Sequence, residues 1–125
     1  MNPAQKRAVE IAGAVMNRLR LKAGQTEKEI ASWIKHEIAS YGAKPSFDII
    51  VGAGARSIDP HARPGNHRIK NGEHVVVDLG AKYKGQCSDI TRTFFVGKPT
   101  KKFIALYDVV KTAQLKAISA VKDGA

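Results

Sequence analysis

Two aspartates in one predicted β-hairpin are the residues of this chain best suited to chemistry. Residues 73–79 and 87–96 are runs rich in β-branched side chains, and the AKYKGQ segment between them, with Gly85, is typical of a hairpin turn. Asp78 lies in the first run and Asp89 in the second. Because side chains alternate along a strand, each aspartate can share a face of the hairpin with the other.

A turn centred between residues 83 and 84 would set Asp78 directly opposite Asp89, with the Cβ atoms about 5 Å apart. Two carboxylates so close repel each other unless a positive group compensates them. A pair of divalent metal ions, about 3.5–4 Å apart, would do so. The alternative is that one or both aspartates are exposed, or form an ion pair with Arg92 or a lysine. The spacing alone leaves both interpretations open.

Two helices precede the hairpin and one follows it. A capping box formed by Thr26 and Glu29 predicts the start of the second helix, and residues 22–24 are expected to end the first. Thr100 is expected to cap the third. Apolar residues recur at helical spacing in all three segments: Ala8, Ile11, Ala12, Val15 and Leu19; Ile30, Trp33, Ile34 and Ile38; Phe103, Leu106, Val110, Ala113, Ala117 and Val121.

A short strand is predicted over residues 47–51, followed by a loop of about twenty residues, GAGARSIDPHARPGNHRIKNG. Loops of that length in a small domain are usually functional. The order of elements, with helices grouped outside an antiparallel hairpin, predicts an α+β fold in one domain spanning residues 1–125.

The composition excludes several classes of protein. One cysteine, Cys87, excludes an intramolecular disulfide and a cysteine-based zinc site. The first ten residues lack the apolar core of a signal peptide, and the apolar runs are too short to span a membrane, so we expect a cytoplasmic protein. The net charge of +10 makes nucleic acid a candidate partner, but the basic residues are scattered and solvated basic faces are favoured.

The run VVVDLGAKYKGQCSDITRTFFVGKPT resembles the metal-binding hairpin of the pita-bread metallopeptidases, which include Xaa-Pro aminopeptidase, prolidase and methionine aminopeptidase. The SDITRTFFVG segment is similar to the proline-specific branch. Upstream, SFDIIVGAGARSIDPHARPGNHRIKNGE is similar to the strand, the Pro-His loop and the basic turn of that family. The resemblance covers nearly the whole chain and implies half of a pita-bread fold.

The resemblance implies a role for each of four residues. Asp78 would bind one metal ion and Asp89 would bridge two, with manganese, cobalt or zinc as the metal. Thr91 would lie near the metal-bound solvent. His61 would be catalytic, binding substrate or moving protons. Cys87 shares the strand face of Asp89, so we expect it to line the site as a small filler. The other histidines match no ligand of the family and are expected at the surface: His36, His67 and His74.

The remaining ligands of the family, a histidine and two glutamates, come from a second half that has no counterpart in these residues. No HGxGH-like or Glu-Pro-Gly segment is present. We therefore expect a half-unit that pairs with a copy of itself, binds metal through aspartates of both copies, and hydrolyses N-terminal Xaa-Pro bonds weakly or not at all. The alternatives are a non-catalytic module that binds protein or nucleic acid, and an engineered or ancestral-type fragment without activity.

Overall fold

The computed structural model describes residues 1–124 and has the predicted α+β architecture. Three helices, a 3-10 helix and six strands form it. The strands make two antiparallel three-stranded sheets, in the orders β1-β4-β5 and β2-β3-β6. The elements are α1 (Pro3–Arg18), α2 (Glu27–Ser40), β1 (Lys44–Pro45), β2 (Ile50–Ala53), the 3-10 helix (Gly54–Ile58), β3 (His74–Leu79), β4 (Ala81–Tyr83), β5 (Gln86–Cys87), β6 (Ile90–Phe95) and α3 (Lys101–Ser119).

The core lies between α1, α2 and one face of the β2-β3-β6 sheet. Along β3, Val75, Val77 and Leu79 are fully buried, whereas Val76 and Asp78 between them face a second, partly open side. The helices contribute the apolar stripes predicted from their periodicity, and Trp33 packs against the edge of the core. One face of β3 therefore packs in the core, and the other face remains partly accessible and can form a site.

The capping box that starts α2 is confirmed, but the predicted end of α1 is wrong. The Thr26 hydroxyl accepts a hydrogen bond from the Glu29 amide at 3.0 Å, and the Glu29 carboxylate accepts one from the Thr26 amide at 3.0 Å. Helix α1 ends at Arg18, because Leu19 is already extended. The Gly24 amide instead donates to the Ile69 carbonyl at 2.8 Å, so this segment is held by the long loop.

The hairpin turn is shifted by one residue from the predicted position. Lys84 and Gly85 both have positive φ, 47° and 81°, as a two-residue type I′ turn requires. Tyr83 consequently pairs with Gln86, and in β3 and β6 Asp78 pairs with Thr91. The predicted pairing of Asp78 directly opposite Asp89 is therefore wrong by two residues.

The hairpin contributes to both sheets. Its inner half, β3 and β6, belongs to the β2-β3-β6 sheet, and its outer half, β4 and β5, belongs to the β1-β4-β5 sheet. Gly80 separates β3 from β4, and Ser88 lies between β5 and β6. The buried Ser88 hydroxyl donates to the Ala8 carbonyl at 2.7 Å and accepts from the Ala81 amide at 3.1 Å. These contacts hold the outer half of the hairpin against α1, where it pairs with β1.

Helix α3 begins at Thr100 as predicted, yet none of its residues is buried. Phe103 is half-buried, with its ring centroid 4.7 Å from that of Phe95. The remainder of the apolar face is exposed, and Val110, for example, is 69% exposed. Neither this helix nor any other in the described part of the chain is long and apolar enough to cross a membrane.

Side-chain contacts hold the end of the long loop, in addition to the backbone hydrogen bonds between residues 65–69 and residues 24–28. The Glu73 carboxylate accepts from the Lys70 amide at 2.7 Å and lies 3.0 Å from His67 Nε2. Ser57 Oγ lies 2.7 Å from His74 Nε2. The expectation that His67 and His74 are surface residues is therefore wrong: both are half-buried and have partners, because the loop folds back over β3. His36 is exposed, as expected.

We expect Glu73→Gln to reduce the free energy of unfolding at neutral pH by about 1 kcal/mol. Partial burial raises the pKa of Glu73, but the hydrogen bonds from His67 and the Lys70 amide outweigh it and bring the pKa below its usual 4.5. A carboxyl with a depressed folded-state pKa stabilises above its unfolded pKa and loses that effect as the pH falls through the folded value. Urea unfolding in a pH series should therefore show the difference between wild type and variant shrinking below about pH 4.5.

The matched control is Glu10→Gln, which breaks an exposed pair with Arg7 at 3.6 Å and should change stability little. A wild-type advantage over Glu73→Gln that persists undiminished into strong acid would contradict the assigned role of Glu73.

Candidate metal centre

Asp78 lies near the end of β3, on the face that the helices do not cover. Its Oδ1 atom is completely buried and has no hydrogen-bond partner among the described residues. The carboxylate lines a cavity of about 300 Å³ together with Ile50, Gly52, Ser57, Ile58, Asp59, Pro60, Val76 and Thr91. A buried carboxylate oxygen without a donor is costly in a folded protein, so this position is suited to a cation.

A second carboxylate stands beside the first. Asp89 immediately precedes β6, and Asp78 pairs with Thr91, so Asp89 is the diagonal neighbour of Asp78 across the hairpin. Burial raises the pKa of Asp78, the adjacent Asp89 carboxyl raises it further, and the Thr91 hydroxyl opposes both. The ionised form of Asp78 is thus disfavoured in the metal-free protein, for lack of a nearby positive charge.

The donor set fits a divalent cation only in part. Two carboxylates and a threonine hydroxyl offer oxygen ligands, which suit Mg, Ca and Mn, while Zn and Co more often also take nitrogen or sulfur. Within residues 1–124 no group of three or more histidine, cysteine, aspartate or glutamate side chains is placed to hold an ion. Asp78 and Asp89 therefore place two carboxylates together but do not make a complete set of metal ligands among these residues.

His61 does not line the cavity of Asp78. It is exposed in the neighbouring cavity of about 280 Å³, which includes Phe47, Asp48 and Arg63. The two cavities meet at Ile50, which lines both. The structure thus places His61 next to the carboxylate site without bringing it into contact with Asp78.

Cys87, which was expected to line the site, is not among the residues that line the Asp78 cavity. It pairs with Lys82 in the β1-β4-β5 sheet and is exposed. Its carbonyl accepts a hydrogen bond from Gln5 Nε2 at 2.6 Å. The change of sheet at Gly80 and Ser88 separates Cys87 from Asp89, although the two are close in sequence.

Two residues that the sequence analysis missed hold the loop beside the site. Glu27, at the first turn of α2, is fully buried, and its carboxylate accepts from Arg56 Nε at 2.8 Å. A glutamate in the first turn of a helix is ordinarily exposed and favoured by the helix dipole. Nothing in the sequence distinguishes this one from its exposed neighbour Glu29.

The model of metallopeptidase family M24 matches residues 4–125, including the hairpin with both aspartates and the His61 loop. The chain belongs to metallopeptidase family M24. The resemblance inferred from the hairpin motif is confirmed. An Xaa-Pro dipeptidase from Pyrococcus horikoshii is 42% identical to this M24 chain over 122 residues, which is 95% of the chain and 35% of that protein.

Solved structures of such enzymes share the fold. The Xaa-Pro dipeptidase from Bacillus anthracis superimposes with a TM-score of 0.93 at 38% identity, covering 98% of the M24 chain and 35% of the dipeptidase chain. The X-Pro aminopeptidase from Thermotoga maritima MSB8 gives a TM-score of 0.87 at 34% identity, covering 95% of the M24 chain and 35% of the other. The expected half-pita-bread α+β fold is confirmed, and the chain spans about a third of the length of these relatives.

Proposed function

We propose that this M24 domain supplies two aspartate ligands of a divalent-metal centre that hydrolyses N-terminal Xaa-Pro peptide bonds. The observation that carries the proposal is the buried Asp78 Oδ1 atom, which has no partner among the described residues and stands beside a second carboxylate. The similarity to an Xaa-Pro dipeptidase and to an X-Pro aminopeptidase supports the proline-directed substrate class.

Each side chain has a distinct task in this proposal. Asp78 and Asp89 would hold the metal, with manganese, cobalt or zinc as the ion. A bound ion of this kind supplies a nucleophile at neutral pH and polarises the scissile carbonyl. Thr91 orients the Asp78 carboxylate through its hydroxyl. His61 binds the peptide in the adjoining cavity and holds or moves a proton there.

The described residues supply too few ligands for a closed site, so we propose that the working unit contains more than one copy of this domain. An isologous dimer brings the same surface of both copies to one axis, and four carboxylates can then share the metal. The exposed apolar face of α3, with Val110 and Leu106 largely exposed, favours self-association. On its own, such a unit hydrolyses peptides weakly or not at all.

Sedimentation equilibrium with and without Mn²⁺ tests this assembly. We expect Mn²⁺ to tighten self-association of the wild type but not of Asp78→Ala/Asp89→Ala. Asp123→Ala, an exposed aspartate after α3, is the control and should behave as the wild type. A wild-type mass that Mn²⁺ leaves unchanged would contradict a metal shared between copies.

A further inference from the structure

The loop that carries His61 has few contacts of its own that could fix it. Residues 58–61 are exposed, and Ile58 is 84% exposed. Within the loop, the His61 amide donates to Asp59 Oδ1 at 2.8 Å and the Ala62 amide donates to the Asp59 carbonyl at 3.1 Å. Exposed loops with only local hydrogen bonds open readily, so His61 needs an external support to keep one position.

The ion pair between the fully buried Glu27 and the half-exposed Arg56 adds that support. It acts beside two backbone hydrogen bonds at the far end of the loop, from the Lys28 amide to the Gly65 carbonyl at 3.1 Å and from the Glu27 amide to the His67 carbonyl at 3.2 Å. The Glu27 carboxylate accepts from the Ala53 amide at 2.9 Å, from the Gly65 amide at 2.9 Å and from Arg56 Nε at 2.8 Å. Arg56 extends the same network, because its Nη2 donates to the Arg63 carbonyl at 2.6 Å. The pair thus connects α2, the end of β2, the 3-10 helix and the far end of the His61 loop.

Glu27 and Arg56 are buried to different extents, and the Nε and Nη2 atoms of Arg56 have different roles. Glu27 is fully buried, so removing the positive charge opposite it leaves an uncompensated buried carboxylate and destabilises the whole fold. The Arg56 side chain is 44% exposed, and its Nη2 atom contacts only the Arg63 carbonyl of the loop. Nε satisfies the buried charge, whereas Nη2 holds the loop.

We propose that Glu27 and Arg56 are positioning residues that fix the His61 loop next to the Asp78 cavity. This inference rests on the proposed function in one respect, which is the role of His61 in binding the peptide. The structural part of the inference, that Arg56 Nη2 orders residues 59–65, does not depend on a bound metal. The planar fork of an arginine makes both contacts at once, and a lysine cannot.

The test is Arg56→Lys, followed by NMR-detected hydrogen exchange on the intact chain. Lysine keeps a positive charge near Glu27 but loses the contact with the Arg63 carbonyl. We expect the amides of His61 and Ala62 to exchange at least tenfold faster, with the His61 imidazole resonances moving towards those of an unstructured peptide. The Gly65 amide donates to Glu27 and should stay protected. The amides of Val75 and Val77 in β3 should exchange as in the wild type.

Arg18→Lys is the matched control, because Arg18 pairs with another glutamate of α2, Glu37, at 3.5 Å on the surface and far in sequence from the loop. It should leave exchange in the loop unchanged. The inference is overturned if the loop amides of Arg56→Lys exchange at the wild-type rate, or if exchange of the β3 amides accelerates by the same factor as that of the loop amides. Mn²⁺ binding measured in parallel reports separately on the proposed function, since the loop contains neither Asp78 nor Asp89.

Discussion

Gly80→Ala is expected to destabilise the domain by about 3 kcal/mol or more, a large fraction of the stability of a small domain. A Cβ atom at this position would collide with the Ser88 carbonyl oxygen and with Ser46 Oγ, and would lie 2.8 Å from Phe47 Cε1. The Ser88 oxygen is backbone in the bend of the hairpin, so it cannot move without disturbing the contacts of Ser88 with α1. Chemical denaturation followed by circular dichroism measures the loss.

Gly13→Ala is the control for this change. Gly13 lies within α1, and an added Cβ meets no atom within 4 Å. Alanine is a better helix former than glycine, so we expect a gain of about 0.5–1 kcal/mol. Equal stability of Gly80→Ala and wild type would show that the close packing at the bend is not needed for the fold.

Asp78→Asn is expected to stabilise the metal-free protein and to abolish its stabilisation by metal. Asp78 has a raised folded-state pKa, so its ionised form destabilises above that pKa, and wild-type stability should rise as the pH falls through the folded-state pKa towards the ordinary value of 3.8. The neutral amide removes the repulsion with Asp89, a gain of up to about 1 kcal/mol once solvent screening on the open side of the cavity is allowed for. The variant should show no corresponding rise on acidification.

Urea unfolding with and without Mn²⁺ measures both effects on the same samples. A ligand that binds only the folded state adds stability in proportion to the logarithm of its concentration above the dissociation constant. Mn²⁺ should therefore raise the unfolding midpoint of the wild type and of the exposed control Asp108→Asn, but not that of Asp78→Asn. An Asp78→Asn protein that is less stable than the metal-free wild type would contradict the account of the carboxylate pair.

The sequence predicts those elements whose apolar pattern meets a partner within the chain. The stripes of α1 and α2 and the alternation of β3 each specify one buried face, and these faces pack together in the structure. Helix α3 shows the limit of the same reasoning. Its pattern correctly predicts a helix, but every residue of α3 except Phe103 is exposed, and Phe103 packs against Phe95 and His74.

The structure places Asp78 and Asp89 together, as the hairpin motif predicts, but in a different register. The identities of Asp78 and Asp89 follow from the hairpin motif. Their diagonal placement depends on Lys84, which adopts a positive φ that lysine rarely takes and so moves the turn by one residue. The role of Glu27 in holding the loop could not be predicted for another reason. Burial of a glutamate at the start of a helix depends on Arg56, twenty-nine residues away, and no local pattern encodes that contact.

Calorimetric titration of the metal-free wild type with Mn²⁺, beside Asp89→Asn, tests most directly whether the two aspartates form a metal site. The account predicts saturable binding by the wild type and at least tenfold weaker binding by Asp89→Asn, a difference of about 1.4 kcal/mol in binding free energy. Circular dichroism should show the same fold for both proteins, because Asp89 is exposed and outside the core. Identical Mn²⁺ affinity for the two proteins, or no saturable binding by the wild type, would contradict it.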